Sequence, residues 1–377
     1  MTSDLALIAE RRGGLAALLG LLTLEEPGPG FTPLVADIPA LAPLASGDPA
    51  IATEYERVFL RGVPLYESVF RNEDGQHGGD TVTAIVECYE RLGYSEYLDQ
   101  RWRVAGADHL GLQLRCLAHL CHEEAAAWRS GTPDKAMEMV ETERTFLAHR
   151  LAGWAPFAVH FAIRYAGESA YSPLLAAIAD HLNEEFGRLR PAPDLGSQID
   201  IEPLPTNLGP ARLSRLLLTP ATSGTWLSST VIGRASRSIG APWRASDTRS
   251  ALRHVIEDAH DTDDLSVLLE PIVDNLDEAI AWHHQDAARS PGNAENARRW
   301  ALTAESMRER LVQIVESGLH GRVHSMAAET FTVSGSDPAC LTEVIDRIVS
   351  DLRSQGYCVE RHVDAPQLSG AASSVSP

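Results

Sequence analysis

The sequence predicts an all-α fold: an N-terminal helical bundle, a proline-rich linker and a second, mainly helical domain. Apolar residues recur at helical spacing through residues 1–190, the composition changes sharply at 188–212, and helical spacing then returns. A chain of 377 residues is long enough for two domains that each bury a core. The predicted units are a bundle at 1–190, a linker at 191–211, a helical domain at 212–327, a strand–helix–strand unit at 328–364 and a disordered tail at 365–377.

Seven helices are predicted in the bundle. They cover residues 4–24, 51–61, 80–93, 108–130, 133–150, 155–167 and 171–187. Pro27 and Gly28 break the chain after the first helix, and the glycine-rich segment 73–79 is a loop before the third. Thr132-Pro133 is a favourable helix start, because the missing N–H of proline costs nothing there.

The second half is predicted from similar signals. Prolines at 191, 193, 203, 205 and 210 define the linker. Ser246 is a candidate N-cap for a helix over 247–260, a stripe over 265–280 predicts a helix that Pro271 can kink, and another helix covers 294–317. Residues 329–335 and 357–363 read as strands around a helix at 337–356, paired either parallel or antiparallel.

Charge and cysteine content exclude several classes of function. With 52 acidic and 32 basic residues the net charge is −20, which repels nucleic acid and anionic membranes and favours cationic partners. Five scattered cysteines without a Cys-x-x-Cys pair indicate a reducing compartment. No apolar run approaches the ~20 residues that a membrane span needs.

The N-terminal segment superficially resembles a twin-arginine export signal. Arg11-Arg12 precedes the apolar run GGLAALLGLL, but Glu10 comes before the pair and no cleavage motif follows. Leucines at 15, 18, 19 and 22 have helical spacing, so the segment is predicted to be the first helix of the bundle. The chain is therefore expected in the cytoplasm.

Two segments are the candidates for binding. The first, EYERVFLRGVPLYESVF (54–70), begins with Tyr55 and Phe59 on one helical face, and Gly62 and Pro64 then stop that helix. We expect Tyr66, Glu67 and Ser68 to follow in a loop with their polar tips exposed. Each aromatic residue here is either a core residue or part of a binding ledge with a polar rim.

The second segment is ADHLGLQLRCLAHLCHEE (107–124). It places Asp108 and His109 at a helix start, ahead of an apolar stripe at 110, 114, 117 and 121. Asp108 is either an N-cap with a neighbouring polar histidine, or both residues line a peptide groove. An aromatic ledge between helices suits an apolar peptide better than bond chemistry.

These residues together resemble the TorD/DmsD family of redox-enzyme maturation chaperones. The family's helix, Gly/Pro loop and Tyr-Glu-Ser-Val element correspond to 55–69, and its Asp-His pair opening a helix of the form His-x-Gly-x-Glu-Leu corresponds to 108–114. Gln113 replaces the usual acid, and Ala107 replaces the usual proline. Residues 146–182 look like the family's final helix pair, so the resemblance covers about residues 5–190.

The resemblance implies a non-catalytic cytoplasmic chaperone that needs no cofactor or metal. It would bind the twin-arginine leader and apo form of a molybdopterin oxidoreductase catalytic subunit and assist maturation before export, with acids such as Glu67 and Asp108 engaging the leader's arginines. The implied peptide-binding residues are Tyr55, Phe59, Pro64, Tyr66, Glu67, Ser68, Asp108, His109, Gly111 and Leu114.

Two alternatives stay open. Because Gln113 and Ala107 depart from the family pattern, the chain could be a scaffold of the same fold that no longer binds leaders. A metal-dependent hydrolase would use histidines at 119, 122, 320 and 324, which lack the His-Glu-x-x-His spacing. The hydroxyl-rich segment 219–229 lacks both the Gly-x-Ser-x-Gly elbow and a P-loop ending, and reads as a turn with Trp226 packing inward.

Overall fold

The chain is all-α in its computed structural model, as the sequence predicts. The structure describes residues 2–316 except 27, 36, 100–105, 192–208, 243–247 and 263, together with two short strands at 331–332 and 372–373. Within these residues no helix is long and apolar enough to cross a membrane.

The first half contains nine α-helices in its described residues. They are α1 (Thr2–Leu24), α2 (Thr32–Val35), α3 (Pro49–Tyr55), α4 (Glu67–Arg71), α5 (Asp80–Arg91), α6 (Leu110–Arg129), α7 (Pro133–Phe146), α8 (Ala155–Ala166) and α9 (Ser172–Leu189). Short 3-10 turns lie at Pro29–Phe31, Ala42–Ala45 and Glu96–Leu98. Helices α3 and α7 each end in a π-helical turn, at Glu56–Leu60 and Leu147–Leu151. Such turns occur frequently at functional sites.

The second half is also helical where it is described. Its helices are α10 (Pro210–Leu218), α11 (Pro220–Ser223), α12 (Ser229–Ser238), α13 (Thr248–Asp261), α14 (Leu265–Arg289) and α15 (Ala294–Glu316). Helix α14 runs continuously through Pro271. Strand β1 (Phe331–Thr332) pairs antiparallel with β2 (Ala372–Ser373). The predicted helix at 337–356 and strand at 357–363 lie outside the described residues, as do most of the linker and of the tail.

Helices α1 and α6 pack side by side at very short range. The close approach depends on two glycines, one from each helix. A Cβ on Gly20 would lie 2.6 Å from the carbonyl oxygen of Gly111, and a Cβ on Gly111 would lie 2.4 Å from the hydroxyl of Thr23. Any larger side chain would therefore push the two helices apart. Gly111, expected to contribute to peptide binding, has this packing role.

A buried ion cluster joins α1 to three other helices. The guanidinium of Arg12 donates to Glu124 of α6 at 2.8 Å, to Glu143 of α7 at 2.5 Å and to Glu185 of α9 at 2.7 Å. The segment that resembles an export signal is thus the first bundle helix, as predicted. Its second arginine lies among the carboxylates of its neighbours.

Two apolar cores are present, and tryptophans connect them. The larger core is built mainly from α1 to α9, and the smaller one from α10 to α15. Trp300 of α15 packs on Phe157 of α8 with ring centroids 4.3 Å apart, and its indole N–H donates to the carbonyl of Gly153 at 2.9 Å. Trp226 stacks on Phe70 at 6.0 Å and so packs inward as predicted. The two halves therefore share an aromatic interface.

Candidate functional site

The fold brings the two predicted binding segments into direct contact. The N–H of Leu110 donates to the carbonyl of Leu65 at 2.8 Å, and the N–H of Glu67 donates to the carbonyl of Asp108 at 3.0 Å. Tyr66 and His109 face each other across this short antiparallel bridge. The start of α4 and the start of α6 are consequently fixed to one another.

Asp108 anchors the start of α4. Its Oδ2 accepts from the backbone N–H of Ser68 at 2.9 Å and from the Ser68 hydroxyl at 2.6 Å, and both side chains are fully buried. The N-cap of α6 is His109, whose Nδ1 accepts from the N–H of Gly111 at 3.1 Å. The interpretation of Asp108 as the N-cap of its own helix is wrong, because its carboxylate turns to the other segment.

Glu67 is also buried, so the expected exposed loop with polar tips is wrong. Residues 67–71 form the short helix α4, since Val69 and Phe70 pack into the core. The Glu67 carboxylate is 3.1 Å from Arg71 and 3.6 Å from Arg150, which balance its charge. Desolvation still prevails over these cations and raises the pKa of Glu67 to about 7.

Gln113 completes the set of contacts around Glu67. Its side-chain amide N–H donates to Oε2 of Glu67 at 2.6 Å, inside the protein. A glutamate at 113, the residue usual in the family, would place a second carboxyl group against Glu67, and one of the two would have to be protonated. The amide avoids this conflict. The departure from the family pattern therefore fits the neighbouring residues.

The solvent-facing part of this cluster is aromatic. Tyr66 is half-buried, with its ring centroid 4.5 Å from that of His77 and 5.0 Å from that of His109. His77 Nε2 lies 3.4 Å from the second oxygen of Asp108. Burial, reinforced by the nearby His77, lowers the pKa of His109 to about 3, so its imidazole is neutral and can accept at Nδ1. We name the two aromatic side chains Tyr66 and His77, together with the adjoining Pro64, the aromatic rim. Pro64 is half-buried like Tyr66.

Tyr55, Phe59 and Leu114 lie in the core of the bundle. Tyr55 and Phe59 pack against Tyr171, with Phe59 and Tyr171 meeting edge to face at 5.2 Å. The Tyr55 hydroxyl donates to the carbonyl of Thr23 at 3.1 Å. These side chains support the site from below and do not line its surface.

An apolar groove lies next to the cluster, between α5 and α7. Its volume is about 350 Å³, and Leu92 and Phe146 form part of its wall. Arg150 reaches from this groove to Glu67, and its guanidinium also donates to the carbonyl of Ala84 at 2.8 Å. Glu138 and Glu141 also line the groove. The groove could not be found from the sequence, because its residues come from two helices about 50 positions apart and share no motif.

The histidines of the metal-dependent hydrolase alternative that the structure describes, and the hydroxyl-rich segment 219–229, do not form a common site. His119 Nε2 lies 3.2 Å from the carbonyl of Leu92, and His122 packs against Gly13. Within the described part of the chain, three or more His, Cys, Asp or Glu side chains nowhere come together as a metal site would require. His320 and His324 lie outside the described residues. In the segment 219–229, Ser228 is the N-cap of α12.

Comparison with known families agrees with the sequence resemblance. The family model described as nitrate reductase delta subunit matches residues 33–159, a segment that contains every predicted peptide-binding residue. The curated proteins give no significant match to the chain. The matched family comprises chaperones for the maturation of molybdoenzymes. Over residues 33–159 the chain is therefore similar to the nitrate reductase delta subunit family of TorD-like chaperones.

Proposed function

We propose that this protein is a cytoplasmic chaperone that binds the twin-arginine leader and the apo form of a molybdopterin oxidoreductase catalytic subunit before export. The observation that carries the proposal is the direct joining of the two family motifs, through Leu65–Leu110 and Glu67–Asp108 backbone bonds, beside an apolar groove. A leader of this kind offers two arginines followed by an apolar helix, and a groove between helices suits such a ligand.

The groove and the aromatic rim contact different parts of the leader. The apolar helix of the leader packs on Leu92 and Phe146, while its arginines meet the acidic side chains Glu138 and Glu141 at the groove. Tyr66 contributes a half-buried aromatic ring at the rim. The net charge of −20 attracts the cationic leader over long range.

The buried motif residues act by positioning, because their side chains cannot reach a ligand without the protein opening. Ser68, Asp108 and His109 hold α4 against α6, and Glu67 holds Arg150 at the edge of the groove. The family resemblance implies that Glu67 and Asp108 bind the leader's arginines directly. Their complete burial favours Glu138 and Glu141 for that task.

Copurification tests the proposal most broadly. The full-length chain, isolated from its native cell, should carry a molybdoenzyme catalytic subunit that retains its leader. Leu92→Glu places a charge in the groove and should abolish this association. Leu98→Glu is the matched control, because Leu98 is already 66% exposed and lies outside the groove. Equal recovery of client by both variants would refute the groove assignment, and capture of a client without any leader contact would favour the scaffold alternative.

A further inference from the structure

A second cavity, separate from the motif cluster, lies between the two halves of the chain. Its volume is about 290 Å³, and its walls are α8, α9 and α14. This is near the lower end of ligand-pocket sizes, enough for one side chain or a small metabolite. Neither the family motifs nor the matched segment accounts for it, because α9 and α14 lie beyond residue 159.

The cavity contains a buried carboxylate oxygen that accepts no hydrogen bond. Asp286 is only 8% exposed, and its Oδ2 has no donor among the described residues. The Ser290 hydroxyl lies 3.3 Å from the other oxygen and 2.6 Å from Oδ1 of Asn183, so its one proton is shared between these two acceptors. The carboxyl group is therefore held in one orientation with an acceptor available. A buried carboxylate oxygen without a donor can accept one from a ligand that enters the cavity.

A flat aromatic pair lines the same cavity. The imidazole of His160 stacks on the indole of Trp282, with centroids 3.7 Å apart and planes at 16°. His160 Nε2 is likewise buried without a hydrogen-bond partner. Planar aromatic surface of this kind packs well against a planar cation.

The charges at the cavity favour a cation. Asp180 is exposed at its edge and Asp286 lies within it, against the single basic side chain of Arg289. Each carboxylate can accept N–H donors, and a carboxylate paired with a guanidinium forms two parallel bonds.

We propose that this cavity binds a guanidinium group, with Asp286 accepting its N–H donors, Trp282 and His160 providing the flat surface, and Asp180 closing the mouth. The guanidinium could belong to a free guanidino metabolite or to an arginine side chain of a polypeptide. The proposal is independent of leader binding in the groove between α5 and α7.

Isothermal titration of the full-length protein tests it with three probes. L-arginine and agmatine carry the guanidinium, and citrulline replaces it with a neutral urea of nearly the same shape. Arginine or agmatine should bind, citrulline should not, and Asp286→Asn should weaken binding about tenfold, as the loss of one charge-assisted bond predicts. Glu270→Gln is the matched control, an exposed acid on the same helix about 24 Å away.

Asp180→Asn provides a second variant at an exposed position, where a substitution should change stability by less than about 0.5 kcal/mol. It should weaken binding about threefold, as a partly screened charge predicts. An acetylated tripeptide amide with a central arginine distinguishes a polypeptide ligand from a free metabolite. If the tripeptide also binds, the cavity accepts an arginine side chain of a polypeptide. If only L-arginine or agmatine binds, the ligand is a metabolite. No binding of any guanidinium probe at millimolar concentration, or equal binding by Asp286→Asn and the parent, would overturn the proposal.

Discussion

The carboxylate of Asp108 accepts two hydrogen bonds from Ser68, a residue 40 positions earlier, at 2.9 and 2.6 Å. This contact closes the loop between the two family motifs and fixes α4 against α6. It also explains why an Asp-His pair at a helix start can matter without touching a ligand, since the acid serves the other segment.

Replacing Asp108 with alanine should lower the free energy of unfolding by about 1–3 kcal/mol, because two buried donors of Ser68 lose their acceptor. Urea denaturation measures the change. Asp37→Ala is the control, since Asp37 is exposed, and it should fall within about 0.5 kcal/mol of the parent. An unchanged midpoint for Asp108→Ala would show that the Ser68 contact contributes nothing to stability.

Glu67 should make stability depend on pH. Its pKa is about 7 in the folded protein against 4.5 ordinarily, so between these values the folded state holds a proton that the unfolded chain has released. Stability contributed by this group is therefore lost as the pH rises through that window. The loss amounts to about 3 kcal/mol between pH 4.5 and 8.

Comparison of the parent with Glu67→Gln isolates this effect, because the other titrating groups are common to both proteins. The variant should gain stability relative to the parent as the pH rises from 5 to 8 in urea titrations. Glu87→Gln, an exposed glutamate of α5, should run parallel to the parent at every pH. Parallel curves for Glu67→Gln as well would contradict the raised pKa.

The two adjacent arginines of α1 should contribute very different amounts to the free energy of unfolding. Arg12→Ala removes the cation that contacts the buried carboxylates of Glu124, Glu143 and Glu185, leaves Arg188 beside the last two, and should cost about 3 kcal/mol. Arg11→Ala, one position away and exposed, should change stability by less than about 0.5 kcal/mol. Similar midpoints for the two variants in thermal or urea unfolding would show that the ion cluster does not hold the bundle together.

We expect the linker to be the first site of limited proteolysis and the two halves to stay associated after the cut. The reason is the interface through Trp300, whose ring packs on Phe157 and whose N–H is bonded to Gly153. The fragments should co-elute in gel filtration, and Trp300→Ala should release them. Leu302→Ala is the control, because Leu302 lies on the same helix and is 63% exposed. This variant should leave the fragments associated. Separation of the unmodified fragments would mean that each half folds and acts alone.

Much of the fold could be predicted because it follows local periodicity. The bounds of α1, α5 and α9 lie within two residues of the prediction at every end. The burial of Glu67 could not be predicted, because its partners Gln113 and Arg150 lie 46 and 83 positions further along the chain. A glutamate followed by a serine reads as a polar loop until those partners are known. Helix α4 was missed for the same reason.

The candidate site, like the fold, could be predicted only in part from the sequence. The two motifs could be found from the sequence, and so could their joint relevance. Which of their side chains reach solvent depends on the packing of α4 against α6, and this leaves Pro64 and Tyr66 at the surface while Asp108 and His109 are enclosed. The groove between α5 and α7 required the structure.

The most direct test of the account is the affinity of the full-length protein for the synthetic leader of its copurified client, measured by isothermal titration. We predict that the leader binds, that replacing both of its arginines with glutamine weakens binding at least tenfold, and that added salt weakens binding of the natural leader more than that of the substituted one. Leu92→Glu should abolish binding and Leu98→Glu should not. Equal affinity for the two peptides, or no measurable affinity for the natural leader, would contradict the account.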